Sequence, residues 1–275
     1  MEINFEQRGV ILGKRETDFV GGTIPWENRN PLGNWDASLP PGEWQKFNQL
    51  ETMACVTFSA LNIIETQLKF LQGFTPNFSD RFIAKMSGTT PQGNHLWKVA
   101  DTVRLEGLVL ESDWPTPPQF DWNTYYAEIP EQVKAKAIKY EIKYEWLTSI
   151  EKDYLINELK HAPIQIVVNN GTHAVELYNE SDVHHYFDSY DPWRKTTSEI
   201  SWPLKIVVSK PKMEFQKAND LAKKVYAIHN GKRFWILDWK SLEALGGTNV
   251  QVNPSLYTLP YGGAIFVSST DDPGV

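Results

Sequence analysis

The chain has 275 residues, a formal net charge of −7 at pH 7 and a single cysteine. The length allows one large domain or a domain with a small appendage. The lone cysteine excludes an intramolecular disulfide, and the acidic balance argues against nucleic-acid binding through phosphate neutralisation. No apolar run approaches the roughly 20 residues needed to cross a bilayer. The start, Met1 to Arg8, lacks the basic-then-apolar pattern of an export signal. The expectation is a soluble protein of a reducing compartment, with no membrane partner.

In chain order, residues 1–46 are rich in turn signals such as Gly21-Gly22, Asn30-Pro31 and Pro40-Pro41, and read as irregular surface structure. Residues 53–71 form the most continuously apolar helical run, with Gly73 as its stop. A short helix begins at Asp80, Thr89 to Asn94 is a loop, and helical spacing returns over 95–105 through Leu96, Val99, Ala100 and Val103. Pro115, Pro117 and Pro118 mark an irregular connection. Residues 137–147 alternate in period two and predict a strand with one wet face. A helix from Ile150 to Leu159 follows, then a β-branched strand from Pro163 to Val168. Thr172 to Tyr178 and Val183 to Ser189 predict a hairpin around Asn179 to Asp182. Helices lead and strands follow, an α+β pattern. Beyond residue 212 the pattern predicts a helix from Phe215 to Val225, a hairpin at Asn230-Gly231 and a helix from Ser241 to Leu245. Three parts follow: an irregular extension (1–34), a main domain (35–212) and a small C-terminal module (213–275).

Cys55 stands in the first turn of the apolar helix, where unpaired N–H groups and the helix dipole favour thiolate over thiol. A buried cysteine that merely packs is the simpler reading. A nucleophilic thiol needs a base, a group that orients the base and donors for an oxyanion. His184 and His185 are adjacent on a strand and point to opposite faces, and with one cysteine no zinc-like spacing exists; neither a metal nor a cofactor is called for. His161, His95 and His229 read as structural. His173 differs. If Asn179 to Asp182 close a four-residue loop, Tyr178 faces Val183 and His173 faces Asp188, with Cβ atoms about 4.5–5.5 Å apart. A β-bulge would shift that register, and Asp191 is the fallback orienter. Gln49, six residues before Cys55, can turn its amide toward a carbonyl under attack, with the Cys55 N–H as second donor; an exposed loop glutamine would look the same.

Together, Gln49, Cys55 with Phe58-Ser59-Ala60, His173-Ala174-Val175 and Asp188-Ser189-Tyr190 resemble, in order and spacing, the active-site segments of papain-like cysteine peptidases. Ala162 to Ile166 resembles the strand before that family's histidine. Thr89 to Asn94 with Glu111 to Pro115 resembles its glycine loop and the following cleft segment. The resemblance covers about Trp35 to Val208. It implies a two-lobed fold, with the Cys55 helix in one lobe and the His173 strand in the other. The cleft would bind an extended peptide near Gly93, Asn94 and Thr172. Cys55 and His173 would form a thiolate–imidazolium pair, with a thioester intermediate and Gln49 holding the oxyanion. Several positions depart from the pattern: Val56 replaces a tryptophan, Met53 and Ala54 replace a glycine and a serine, Asp188 replaces an asparagine, the family's disulfides cannot form, and its long propeptide is expected to be absent. These departures suggest a divergent cytoplasmic or virion-associated member acting on a peptide, isopeptide or amide. The alternative is a catalytically silent binding or virion protein on the same scaffold. The C-terminal module resembles hairpin units of bacterial and phage surface proteins. Trp235, Trp239, Tyr257 and Tyr261 are candidate contacts to a cell-surface or virion partner; a buttressing module is the other reading.

Overall fold

A computed structural model describes residues 9–18, 20–21, 29–41, 52–73 and 76–209, and five strands beyond them. The chain forms two compact units, 1–209 and 210–275. In the first, α1 (Cys55–Gln72) is buried from Cys55 through Leu68 and ends at Gly73, whose φ of 73° is a conformation that suits glycine. Ser79 caps α2 (Asp80–Met86) by accepting the Phe82 N–H. α3 (Leu96–Glu106) buries Leu96, Val99, Ala100 and Val103. Two single turns, α4 (Trp122–Tyr125) and α5 (Glu131–Lys134), lie beyond the prolines.

The sheet strands are β1 (Ile142–Trp146), β2 (Ile164–Val168), β3 (His173–Glu180), β4 (His184–Phe187), β5 (Arg194–Thr197) and β6 (Ser201–Val208), with α6 (Lys152–Leu159) between β1 and β2. Their order is β1-β6-β2-β3-β4-β5, and neighbours run antiparallel. Helices thus precede an antiparallel sheet, an α+β architecture.

Alternation along the strands divides the apolar side chains between two cores. Val167, Ala174, Leu204 and Ile206 pack with α1, α2 and α3. Ile164, Ile166, Val175 and Leu177 pack on the other side with Trp35, Leu39 and the α6 residues Leu155 and Leu159. Polar side chains tie α1 to the sheet. Gln67 donates from Nε2 to the Ile206 carbonyl (2.9 Å) and accepts the Val208 N–H (3.0 Å). Gln165 donates to the Val56 carbonyl (2.8 Å) and to Ser59 Oγ (2.7 Å).

Three sequence expectations change. The strand predicted over 137–147 is confined to Ile142–Trp146, and its wet face is limited to Lys143. Glu145 is buried because it meets Lys205 of β6 at 2.8 Å. The hairpin loop is Ser181 to Val183, since Glu180 already pairs with His184. In the second unit, Glu214–Lys217 is a strand, β7, where a helix from Phe215 was expected. It hydrogen-bonds on both edges, to β8 (Val225–His229) and β10 (Val250–Val252), and this pairing overrides the helical spacing. β9 (Lys232–Ile236) pairs antiparallel with β8, and β11 (Tyr261–Ile265) runs parallel beside β9. The Ser241–Leu245 helix, Trp239 and Tyr257 lie outside the described residues.

Candidate active site

Cys55 occupies the first position of α1, and the preceding Ala54 makes no side-chain cap. Its sulfur accepts the N–H of Ala174 on β3, which brings the head of α1 to the residue after His173. Burial pushes the Cys55 thiol up to about 12. The N–H groups of Ala174, Val56 and Cys55 pull the other way, and the Asp188 charge adds to the rise. The thiolate expected from the helix dipole is therefore overruled by desolvation, since Cys55 is only 2% exposed.

His173 Nε2 lies 2.8 Å from Asp188 Oδ1, and both side chains are buried. They meet by a different register from the one the sequence suggested. The ladder runs Asn179↔His185, skips Tyr178 as a bulge, and continues Leu177↔Tyr186 and Glu176↔Phe187. One step further sets Asp188 against Val175, so His173 reaches it on the diagonal. The observed turn shifts the pairing by three residues relative to the expected one and the bulge takes one back, a net slip of two. An even slip keeps the residues on one face. Asp191 is exposed. The Tyr190 N–H also bonds Asp188 Oδ1 (3.3 Å), and its ring lies 5.4 Å from the imidazole. On the other carboxylate oxygen, Lys195 Nζ of β5 sits at 2.9 Å. Burial opposes ionisation of Asp188, but the His173 hydrogen bond and the Lys195 ammonium outweigh it and hold the carboxyl below its ordinary range. His173 Nδ1 is buried without a hydrogen-bond partner.

Three of the other histidines are engaged elsewhere. His184 Nδ1 is 2.6 Å from Glu180, His185 Nε2 is 2.8 Å from Ser181, and His95 stacks on Trp97. Among the described residues, no group of three His, Cys, Asp or Glu side chains is placed to hold a metal ion.

Two of the three residues expected to bind substrate, Gly93 and Asn94, face the chain's own N-terminal segment. The Asn94 N–H donates to the Gly9 carbonyl (2.9 Å), and the Asn94 carbonyl accepts the Ile11 N–H (2.8 Å). At Gly93 (φ +99°) a Cβ would fall 2.0 Å from the Gly9 backbone, so only glycine admits this approach. A Cβ on Gly9 would meet the Met53 carbonyl at 2.5 Å, and one on Gly171 would meet Leu12 at 3.4 Å. Residues 9–12 thus bridge the lead-in to Cys55, the loop before α3 and the turn before His173. The Asn94 side chain turns inward to Ser87 and Thr89, and Thr172 Oγ1 donates to the Asn169 carbonyl (2.7 Å).

No protein-family model matches the chain, and no curated protein matches its sequence. Among solved structures it is similar to digestive procathepsin L 3 of Tenebrio molitor larval midgut. The identity is 13%, the TM-score 0.53, and the match covers 75% of this chain and 77% of that one. It is also similar to procathepsin B S9 from Trypanosoma congolense, at 10% identity and TM-score 0.52, over 75% of this chain and 88% of that one. The fold is papain-like.

In this papain-like chain Gln49 lies outside the described residues. Sequence reasoning missed Lys195, whose approach to Asp188 depends on β5 pairing with β4 through Tyr186. It also missed Tyr126, which donates to the Thr52 carbonyl at 2.5 Å beside the head of α1. No sequence signal marks either: the Tyr126 contact spans 74 residues, and the Lys195 contact, only seven residues away, depends on how β4 and β5 pair.

Proposed function

We propose that the chain is a cysteine peptidase, with Cys55 as nucleophile, His173 as base and Asp188 as the group that orients it. Gln49 and the Cys55 N–H serve as oxyanion donors. The observation that supports this reading best is the His173 ring itself. Asp188 fixes Nε2, which leaves Nδ1 unpaired on the residue adjoining the one that bonds the Cys55 sulfur.

In the reaction, Nδ1 takes the Cys55 proton as the sulfur adds to the carbonyl carbon of a peptide, isopeptide or other amide. The carbonyl pair becomes an oxyanion held by the two donors. His173 then protonates the leaving nitrogen, the C–N bond breaks, and a thioester remains. Water, deprotonated by His173, attacks the thioester and the sulfur leaves with its proton restored. An extended substrate would use the Asn94 backbone groups now engaged by Gly9 and Ile11, beside Gly93 and Thr172. The chain is accordingly latent until residues 9–12 leave. The buried, protonated Cys55 under an occupied groove also favours a second reading, a silent binding protein on the same scaffold.

Iodoacetamide labelling at pH 6 separates the two. Once the N-terminal segment is loosened, as in an Ile11→Pro background, the chain with His173 is expected to lose its thiol about 10-fold faster than the one with His173→Ala. Equal, slow labelling in both, persisting after the N-terminal segment is loosened, would sink the peptidase reading.

A further inference from the structure

Asp188 is shared. One oxygen faces His173 at 2.8 Å, and the other faces the Lys195 ammonium at 2.9 Å. The Lys195 side chain is 24% exposed, whereas those of His173 and Asp188 are 0% and 3% exposed. The ammonium also stands 5.9 Å from the centre of the Tyr190 ring, which lies against the imidazole. β5 places Lys195 opposite Tyr186, two residues before Asp188 on the neighbouring strand, so the contact is built into the sheet.

A bare buried carboxylate this close to an imidazole does two things. It holds the ring, and its charge biases every proton nearby. The second effect works against a thiol nucleophile, because the Asp188 charge opposes ionisation of Cys55. A cation on the far oxygen cancels most of that charge while leaving the near oxygen free to accept from Nε2. It also removes the carboxylate's freedom to rotate away.

We propose that Lys195 is a positioning residue for the His173–Asp188 pair, holding the carboxylate in place and neutralising its charge so that Asp188 orients the imidazole without overcharging it. This deepens the peptidase reading and rests on it for its purpose, though not for its test. The titratable and charged groups facing the pair are Cys55 from α1, Tyr190 from the turn after β4 and Lys195 from β5.

The test uses the full chain and side-chain NMR of the histidine rings, comparing wild type with Lys195→Met and Lys195→Arg. Removing the cation should move the His173 titration midpoint up by about one pH unit, because the Asp188 charge is then answered by the imidazole alone. Arginine should restore the wild-type midpoint. In an Asp188→Asn background, Lys195→Met reports only the lost direct repulsion between the ammonium and the imidazolium, so the shift should be smaller there than with Asp188 present, the excess measuring the carboxylate that Lys195 held. That double variant also serves if the single methionine variant fails to fold, by comparison with Asp188→Asn alone. An unchanged midpoint in Lys195→Met, or equal shifts in the methionine and arginine variants, overturns the proposal. Failure of Cys55 to label even after the N-terminal segment is loosened counts against the peptidase reading and leaves this titration interpretable.

Discussion

Lys205 shows how far pairing governs what a single side chain tolerates. It is 0% exposed, with Nζ 2.8 Å from Glu145 on β1 and in contact with Glu158 on α6. A charge taken so far out of water is sustained only by partners that answer it. Lys205→Met strands Glu145, itself 1% exposed, without its cation. The expected loss is about 3–5 kcal/mol, the cost of an uncompensated buried charge, read as a lower urea midpoint with an unchanged slope. Cys55 obeys the same rule with the opposite outcome: a thiol can shed its charge by holding its proton, and burial makes it do so.

At the scale of elements, the N-terminal segment and α1 illustrate two kinds of attachment. α1 is locked by apolar burial from Cys55 to Leu68 and by Gln67 and Gln165, whose amides satisfy buried backbone groups. Residues 9–12 are held by two backbone hydrogen bonds to Asn94 and the close Gly9–Gly93 approach, with Leu12 42% exposed. Ile11→Pro removes the donor to the Asn94 carbonyl while leaving α1 intact. It should raise the iodoacetamide labelling rate of Cys55 about 10-fold and lower the pH at which labelling sets in, because water returns to the sulfur. An unchanged rate would mean that the segment does not control access.

At the scale of the whole molecule, buried carboxyls set the response to pH. Glu176 on β3 is 0% exposed, and neither oxygen has a hydrogen-bond partner of normal geometry. Burial pushes its carboxyl up to about 8, and burial also raises Glu65, Asp80 and Glu111. A carboxyl raised in the folded state keeps its proton there after the unfolded chain has lost it. Its stabilisation is complete below the unfolded value near 4.5 and declines as pH rises toward 8. Thermal melts should therefore fall between pH 5 and pH 8. Glu176→Gln should flatten the fall and gain on the order of 3 kcal/mol at pH 8. A melting temperature that rises over that interval would contradict the assignment.

Among the described residues no helix is long and apolar enough to cross a membrane.

The sequence by itself determined the long apolar helix and its glycine stop, the short helix capped by Ser79, the strands around 164–168 and 173–180, and the α+β order. Each of these is a local matter of periodicity, capping and turn chemistry, which neighbouring residues decide. It also singled out Cys55, His173 and Asp188, because residue type and parity survive a register error of two. Only the tertiary structure decided that Glu145 is dry, that Phe215 lies in a strand, that Lys195 shares Asp188 and that residues 9–12 lie against Asn94. Those depend on how strands pair and on contacts between segments that the chain alone does not bring together, and on how much water the finished packing leaves at each charge. That is also why the burial of Cys55, which pushes its thiol up, was not legible from its place at the head of a helix.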